Sequence, residues 1–267
     1  MNQNSKLFKS GIVSLGTVIF GFTLMSPALV SAVDSGASRT APAKTTTVKT
    51  SPFCTNLPAE IAKIDGNILS LKSKLADART KRDQALVNDK AKWDQEVTAN
   101  RAKWDQTRQT NFTKLETKAK NDTQTAAVKA YEAAITSAVA TRRAANDHAR
   151  SIYRSAEDSV IANQRSIIDS QVATFMSSAS SAESNAQAAC QATPSEGATI
   201  RVTFQATLKS ARETYTAGRK SDSTIGTQIK QLGQTRDASF KANEATFSAS
   251  AKTARDALKS AFGSTKI

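Results

Sequence analysis

Residues 81–106 read KRDQALVNDKAKWDQEVTANRAKWDQ. Similar tetrapeptides begin at Lys81, Lys92 and Lys103, so the segment has an 11-residue repeat. Because one such repeat in a helix makes three turns plus roughly 20°, side chains at this spacing share one face of an α-helix. The segment therefore predicts a long helix, and its period favours a straight or slightly right-handed supercoil.

Helix-favouring sequence extends to both sides of this segment. Residues 59–193 contain no proline and one glycine, Gly66, and these two residue types disfavour helices most strongly. Upstream, apolar residues follow a coiled-coil spacing at Leu57, Ile61, Ile64, Ile68, Leu71 and Leu75. Downstream, apolar residues recur every 11 positions at Val128, Val139, Ile161 and Val172, and the one position of this series that is not apolar is Arg150. These patterns predict two long helices.

Turn and cap signals divide the helical sequence. Residues 121–123 (Asn-Asp-Thr) form a helix-poor triplet that predicts a turn followed by a helix cap. Pro58 is expected in the first turn of the first helix, where its missing N–H costs nothing. Residues 193–196 (Thr-Pro-Ser-Glu) match a capping box with proline at the first helical position, which predicts the start of a third helix. That helix is the one expected to kink, because it contains Gly218, Gly226 and Gly233.

Residues 1–32 are typical of a secretory signal peptide. Lys6 and Lys9 precede an uncharged, mostly apolar run at 11–25, and residues 30–32 (Val-Ser-Ala) fit a cleavage site. An uncleaved anchor is the alternative, because residues 11–33 could just span a bilayer. No later segment approaches an 18-residue apolar stretch, so no membrane span is expected in the mature chain. We expect a secreted protein, in the periplasm or at the cell surface.

Two cysteines bear on the layout of the helices. Cys54 and Cys190 are equally distant in sequence from Asp122, so a chain that folds back at the turn brings both thiols to the same end of a hairpin. An even number of cysteines in an exported protein favours a disulfide. We expect a bond between Cys54 and Cys190, with two free thiols or pairing between chains as the alternatives.

Together these signals predict an all-α fold, an elongated antiparallel three-helix bundle or coiled coil with up-down-up order. A flexible Ala/Ser/Thr/Pro/Lys linker at 33–53 would follow the signal peptide at 1–32, because it has too few large apolar residues to offset the entropy of ordering. A disulfide-stapled helical hairpin is predicted at 54–192 and a third long helix at 193–263. The core of this predicted bundle is narrow and rich in alanine and therefore buries little apolar area, so we expect modest stability per residue.

The composition excludes several kinds of site. One histidine, His148, and two cysteines cannot build a four-ligand His/Cys zinc site or an iron–sulfur cluster. The sequence has no glycine-rich phosphate loop, and His148 is interpreted as a solvated helix residue rather than a general base. We therefore expect no catalytic residues, no metal ligands and no cofactor.

Charge and two tryptophans are the remaining candidates for function. The formal net charge is +14, and 6% of residues are aromatic. A basic helical surface could lie along an anionic polymer, or interspersed Lys and Asp could simply solvate the helices. The few aromatic residues argue against sequence-specific nucleic-acid recognition. Trp93 and Trp104 could stack on a carbohydrate, or could fill the seam against the second helix. The candidate surface or partner contacts are Trp93, Trp104, Lys92, Lys103, Arg142 and Arg143.

Several segments together resemble one group of proteins. They are residues 54–57, the Lys-Trp-Asp repeats, the alanine-rich run at 126–145, Cys190 and residues 202–212. On these segments the chain resembles secreted long-helix proteins of candidate-phylum bacteria (Patescibacteria), over nearly the whole mature length. The resemblance implies secretion and a helical architecture, and it implies no activity and no functional residues.

Three functions are weighed from these observations. The leading hypothesis is a secreted, non-enzymatic structural or interaction protein of the cell envelope, acting as a helical spacer, adhesin or assembly component. Its partner would be a protein or an anionic envelope polymer, and a homo-oligomer is also compatible with the sequence. The alternative is a periplasmic holdase chaperone similar to Skp, although the sequence lacks the β-rich oligomerisation core of those proteins. A helical pore-forming toxin would need a segment that enters lipid, which the mature chain does not offer.

Overall fold

The computed structural model describes residues 49–221 and 224–263, apart from the side chains of residues 220 and 221. Within these residues 93% are helical and no strand occurs. The helices are α1 (Pro52–Glu116), α2 (Asp122–Ala192), α3 (Gly197–Ser221) and α4 (Ile225–Phe262). The all-α class predicted from the sequence is confirmed. The predicted signal peptide and most of the predicted linker lie outside the described residues.

The first helix begins earlier than the sequence predicts. It starts at Pro52, so Pro58 lies inside the helix rather than in its first turn. Pro52 suits the first position of the helix because the backbone N–H that proline lacks would have no partner there within the helix. The Ser51 N–H donates a 2.8 Å hydrogen bond to the Pro194 carbonyl, and Phe53 is buried. Tertiary contacts therefore extend the helix into the last residues of the predicted linker.

Residues 117–121 join α1 to α2, so the turn lies slightly earlier than the predicted residues 121–123, of which the last two already belong to α2. The Asn121 side chain accepts a 2.9 Å hydrogen bond from the Gln124 N–H. The Gln124 side chain in turn accepts a 2.8 Å bond from the Lys120 N–H. These reciprocal bonds satisfy backbone N–H groups at the helix start, much as a capping box does. The prediction of a turn followed by a cap is confirmed.

The capping box predicted at Thr-Pro-Ser-Glu is wrong. The Thr193 hydroxyl donates a 3.2 Å hydrogen bond to the Ala189 carbonyl, so Thr193 closes the end of α2 instead of opening α3. The first turn of α3 is organised by Glu196, whose carbonyl accepts the Ile200 N–H at 3.2 Å, and the helix begins at Gly197. Backbone packing around the end of α2 therefore overrides the local capping preference.

Two helices occupy the stretch for which the sequence predicts one helix at 193–263. Helix α3 ends at Ser221 and α4 begins at Ile225. The division falls between Gly218 and Gly226, two of the glycines expected to weaken this stretch. Glycine costs a helix about 1 kcal/mol relative to alanine, so the break occurs where helix propensity is low.

Contacts divide the chain into two compact units. Of the described residues, unit 1 comprises 49–73 and 178–209, and unit 2 comprises 74–177, 210–221 and 224–263. The core of unit 1 consists of Phe53, Leu57, Ala182, Ala186, Ile200 and Phe204. The predicted disulfide between Cys54 and Cys190 is present beside this core, with Cα atoms 5.4 Å apart. It joins the first turn of α1 to the last turn of α2.

Unit 2 has two apolar clusters near the α1–α2 turn. One consists of Phe112, Ile135, Val139, Ala251 and Ala254. The other consists of Val128, Leu258 and Phe262. Helices α1, α2 and α4 all contribute to these clusters and their partly buried neighbours. No helix of the described residues is both long and apolar enough to cross a membrane.

Candidate functional site

Ion pairs at regular intervals join α1 to α2 within unit 2. The first set pairs aspartates of α1 with arginines of α2, and its members are Asp83–Arg165, Asp94–Arg154 and Asp105–Arg143. The second set has the opposite polarity, and its members are Arg79–Asp169, Lys90–Asp158 and Arg101–Asp147. On each helix, successive members of a set follow the 11-residue period. We call these six pairs the ion-pair ladder.

Several pairs of the ladder have two parallel hydrogen bonds. Arg154 donates to the two oxygens of Asp94 at 3.0 and 2.8 Å, and Arg143 donates to those of Asp105 at 2.9 and 2.7 Å. Arginine matches a carboxylate in this way because its N–H donors form a planar fork. These hydrogen bonds lower the pKa of Asp94 and of Asp105, because they favour the charged carboxylate. In the same way, the two hydrogen bonds that Arg101 donates to Asp147 lower the pKa of Asp147.

Arginine and aromatic side chains form a layer between the pairs of the ladder. The guanidinium carbons of Arg150, Arg154 and Arg236 lie 4.9, 5.3 and 5.3 Å from the centre of the partly buried Trp93 ring. These distances are within the range of cation–π attraction. Arg236 also lies 4.7 Å from the centre of the Tyr153 ring. The residues of this Arg–Trp layer are Trp93, Arg150, Tyr153, Arg154, Arg236 and Phe240.

Acidic side chains balance the cations of the Arg–Trp layer. Arg236 is only 5% exposed and donates to the Asp237 carboxylate at 2.6 Å. The Tyr153 hydroxyl donates a 2.8 Å hydrogen bond to Glu157, which is also buried. Burial, together with this hydrogen bond, raises the pKa of Tyr153. Each of these acid contacts lies within a single helix, so it is the stacking of arginines on the rings of neighbouring helices that holds α1, α2 and α4 together.

A shallow groove of about 460 Å³ runs over α2 beside the layer. It is lined by Asp147, Arg150, Ser151, Arg154, Ser155 and Asp158. Within it Arg150 lies 3.2 Å from Asp147, and desolvation by burial lowers the pKa of Arg150. Because two arginines and two aspartates line the groove, its walls give no net attraction for an ion of either sign.

The two tryptophans of the repeat have different surroundings. Trp104 is 61% exposed and therefore does not fill a seam between helices, whereas Trp93 is covered by the arginines of the layer. The positions that correspond to Arg150 and Arg236 one repeat closer to Trp104 are Val139 in α2 and Phe247 in α4. Both of these residues pack in an apolar cluster. The neighbouring helices therefore supply arginines beside Trp93 and apolar residues beside Trp104, and this difference distinguishes two tryptophans that occupy equivalent positions in the repeat.

The other predicted contact residues divide in the same way. Arg143 belongs to the ion-pair ladder, and Arg142 donates to Glu244 of α4 at 2.8 Å while its guanidinium lies 4.1 Å over Phe247. Lys92 and Lys103 are exposed, as is the single histidine, which the sequence analysis interprets as a solvated residue. Trp93, Arg142 and Arg143 thus act between helices, and Trp104, Lys92 and Lys103 face the solvent.

The ion-pair ladder and the burial of Arg236 were not predicted from the sequence. A signal for the ladder exists, because the aspartates of the Lys-Trp-Asp repeats and the arginines at 143, 154 and 165 share the 11-residue period. Aligning the two series about the predicted turn would have paired them. No comparable signal marks Arg236, since its burial depends on how α4 packs against two other helices.

Comparison of the chain with protein-family models, with curated proteins and with solved structures gave no match. Among the described residues, no group of three or more His, Cys, Asp or Glu side chains is arranged to hold a metal ion. The function proposed below therefore depends on the geometry and the charges of the chain itself.

Proposed function

We propose that this chain is a secreted, non-enzymatic structural protein of the cell envelope, a helical spacer or assembly component that holds a partner on its exposed surface. The observation that carries the proposal is the ion-pair ladder. Its six pairs use charged side chains to keep two long helices side by side in one register. A spacer needs this property along its length, whereas an enzyme needs it only around a site.

The ladder contributes register more than stability. Partly exposed ion pairs are each worth at most about 1 kcal/mol, because water screens them. A slip of one residue between α1 and α2 would nevertheless separate every pair at once, so the six small terms act together against misalignment. The alternating polarity of the two sets adds to this effect, because other registers would bring like charges together.

Secretion is supported by two independent features. Residues 1–32 have the sequence of a signal peptide. The disulfide between Cys54 and Cys190 is of a kind that persists in oxidising compartments. We include the elongated up-down-up bundle in the proposal, with α3 and α4 sharing the third position. In unit 2 it is supported by the contacts of α2 with Tyr215 of α3 and Glu244 of α4. A compact particle in small-angle scattering would contradict it.

Proximity labelling on intact cells tests the envelope role. The full chain is expressed with its own residues 1–32 and fused at its carboxyl end to a labelling enzyme. A control lacks that segment. We expect the fusion to label envelope components and the control to label cytoplasmic ones. Cytoplasmic labelling by both would contradict the proposal. Broad labelling of unfolded exported proteins, together with suppression of their aggregation, would favour the holdase alternative instead.

A further inference from the structure

Exposed cations gather around the α1–α2 turn of unit 2. This basic turn cluster consists of six exposed side chains, Lys114, Lys118, Lys120, Lys129, Arg255 and Lys259. None of them takes part in an ion pair within the part of the chain that the structure describes. The apolar cluster of Val128, Leu258 and Phe262, with Leu115 and Ala119 beside it, brings the three helix segments that carry them together. The cluster thus differs from the ladder, where cations are paired.

Helix stability accounts for only part of this cluster. Cations in the last turn of a helix interact favourably with its dipole, and Lys114 and Lys259 occupy such positions in α1 and α4. Lys118 and Lys120 lie beyond the end of α1. Lys129 lies in the second turn of α2, near the positive end of that helix, where the dipole does not favour a cation. These three lysines therefore need another explanation.

The nearby carboxylates do not neutralise the cluster. Asp256 is hydrogen-bonded to Lys252 at 2.7 Å, and this bond lowers the pKa of Asp256. Glu132 is partly buried, and desolvation together with the charge of Glu116 raises the pKa of Glu132. Counting Lys252, seven cations lie around the turn with four carboxylates, those of Glu116, Asp122, Glu132 and Asp256, so the turn has excess positive charge.

Hydrogen bonds fix the backbone that carries the central lysines. The Lys118 N–H donates to the Leu115 carbonyl at 3.1 Å, and the Lys120 N–H donates to the Gln124 side chain at 2.8 Å. The Ala119 N–H also donates to the Glu116 carbonyl, at 3.2 Å. Because the lysines are already positioned, a ligand would have to order only their side chains, and this lowers the entropic cost of binding.

We propose that the basic turn cluster binds a linear phosphodiester polymer without bases, of the poly(glycerol phosphate) kind, in the cell envelope. The inference rests on the proposed envelope role and names its partner. Charge complementarity favours a polyanion. Phe112 and Phe262 near the cluster are buried, so they offer no platform for stacked nucleic-acid bases. The large exposed apolar side chains of the described residues lie elsewhere, so a lipid surface would gain no apolar anchor.

Binding to purified poly(glycerol phosphate), measured across a salt series, tests this proposal. The test variant is K118Q/K120Q/K129Q. The matched control is K81Q/K230Q/K241Q, which removes the same charge from exposed lysines of unit 2 outside the cluster. We expect the dissociation constant of the test variant to rise at least about tenfold. Its slope against salt on logarithmic axes should fall by about 2, at roughly 0.7 per lost phosphate contact on a single strand. The control should bind as the natural chain does.

Three results would overturn the proposal. They are absence of binding by the natural chain, equal weakening in both triple variants, and tighter binding to an oligonucleotide or an anionic vesicle of matched charge. Circular dichroism of both triple variants checks that they remain helical. This result can be distinguished from failure of the envelope role. If the chain labels the envelope but does not bind the polymer, only the proposal that the basic turn cluster binds the polymer is rejected.

Discussion

Trp93 and Trp104 are separated by one repeat on α1, yet one is covered by three guanidinium groups and the other is 61% exposed. The side chains that α2 and α4 supply opposite each tryptophan make this difference. At the residue scale, the position of a residue in the repeat therefore determines which face of α1 its side chain occupies. The neighbouring helices determine whether that side chain is buried. The same holds for the arginines, since buried Arg236 pairs with the residue next to it in sequence while stacking on rings of two other helices.

Substitution of the two tryptophans separates these effects. We expect Trp93→Ala to lower the free energy of unfolding by about 2–4 kcal/mol, because it removes a packed ring and leaves three arginines without their aromatic partner. Trp104→Ala should change it by less than about 0.5 kcal/mol, because the ring is mostly in solvent. Urea unfolding followed by circular dichroism measures both. Equal losses would show that the Arg–Trp layer contributes nothing specific.

Gly197 is a residue whose lack of a side chain is required by packing. A Cβ at this position would lie 1.7 Å from the Ser51 side-chain oxygen and 2.5 Å from the Ser51 Cβ. We expect Gly197→Ala to destabilise the chain by more than about 1 kcal/mol, since the first residues of α3 and the start of α1 must move apart. Adding Ser51→Gly should recover part of the loss.

Gly66 provides the control for this substitution. It lies in α1, and a Cβ added there would have nothing within 4 Å, so Gly66→Ala should stabilise by up to about 1 kcal/mol through helix propensity. Thermal unfolding compares the two variants directly. If both alanines were stabilising, the contact between Gly197 and Ser51 would not exist in solution.

At the scale of the helices, periodicity predicted the elements and missed what joins them. The apolar grids, the turn at residues 121–123 and the equal spacing of Cys54 and Cys190 about it were sufficient for α1, α2 and the disulfide. The starts of α1 and α3 were wrong because Ser51 and Gly197 depend on contacts between segments far apart in sequence. The ladder was missed because only the two cysteines were aligned about the turn, and the charged residues of the two helices were not.

The ladder predicts a dependence of stability on pH. Arginine partners lower the pKa of Asp94 and Asp105, so their stabilisation is present above the unfolded pKa of about 3.9 and is lost as pH falls through the lower folded values. Desolvation raises the pKa of Glu132 and Glu183, which act oppositely. Their contribution is present below about pH 4.3 and is lost as pH rises through their folded values.

Denaturant unfolding at a series of pH values tests this expectation. Acidification from neutral pH should first change stability little or raise it slightly, as the two glutamates take up protons. Below about pH 4 stability should fall steeply, as the ladder aspartates take up protons. The double variant Asp94→Asn with Asp105→Asn should flatten that acidic limb, whereas Asp77→Asn, outside the ladder, should leave it unchanged. An acidic limb equally steep in both variants would count against the ladder.

At the scale of the whole molecule, the two units are stabilised by different interactions. Unit 1 has a small apolar core with two alanines, and the disulfide closes a sequence separation of 136 residues beside it. Unit 2 has two apolar clusters, the ladder and the Arg–Trp layer. Loss of the disulfide should therefore be felt mainly in unit 1, even though the cross-link restricts most of the unfolded chain.

Hydrogen exchange read by mass spectrometry distinguishes these contributions. We expect Cys54→Ser with Cys190→Ser to lower the free energy of unfolding by about 2–5 kcal/mol. Amides at 52–73, 178–192 and 197–209 should lose more protection than those of unit 2, because the first turn of α1 is no longer tied to the last turn of α2. Reduction of the natural chain should reproduce the pattern, which separates loss of the bond from effects of the serines. A uniform loss of protection in both units would show instead that the disulfide acts through the unfolded chain alone.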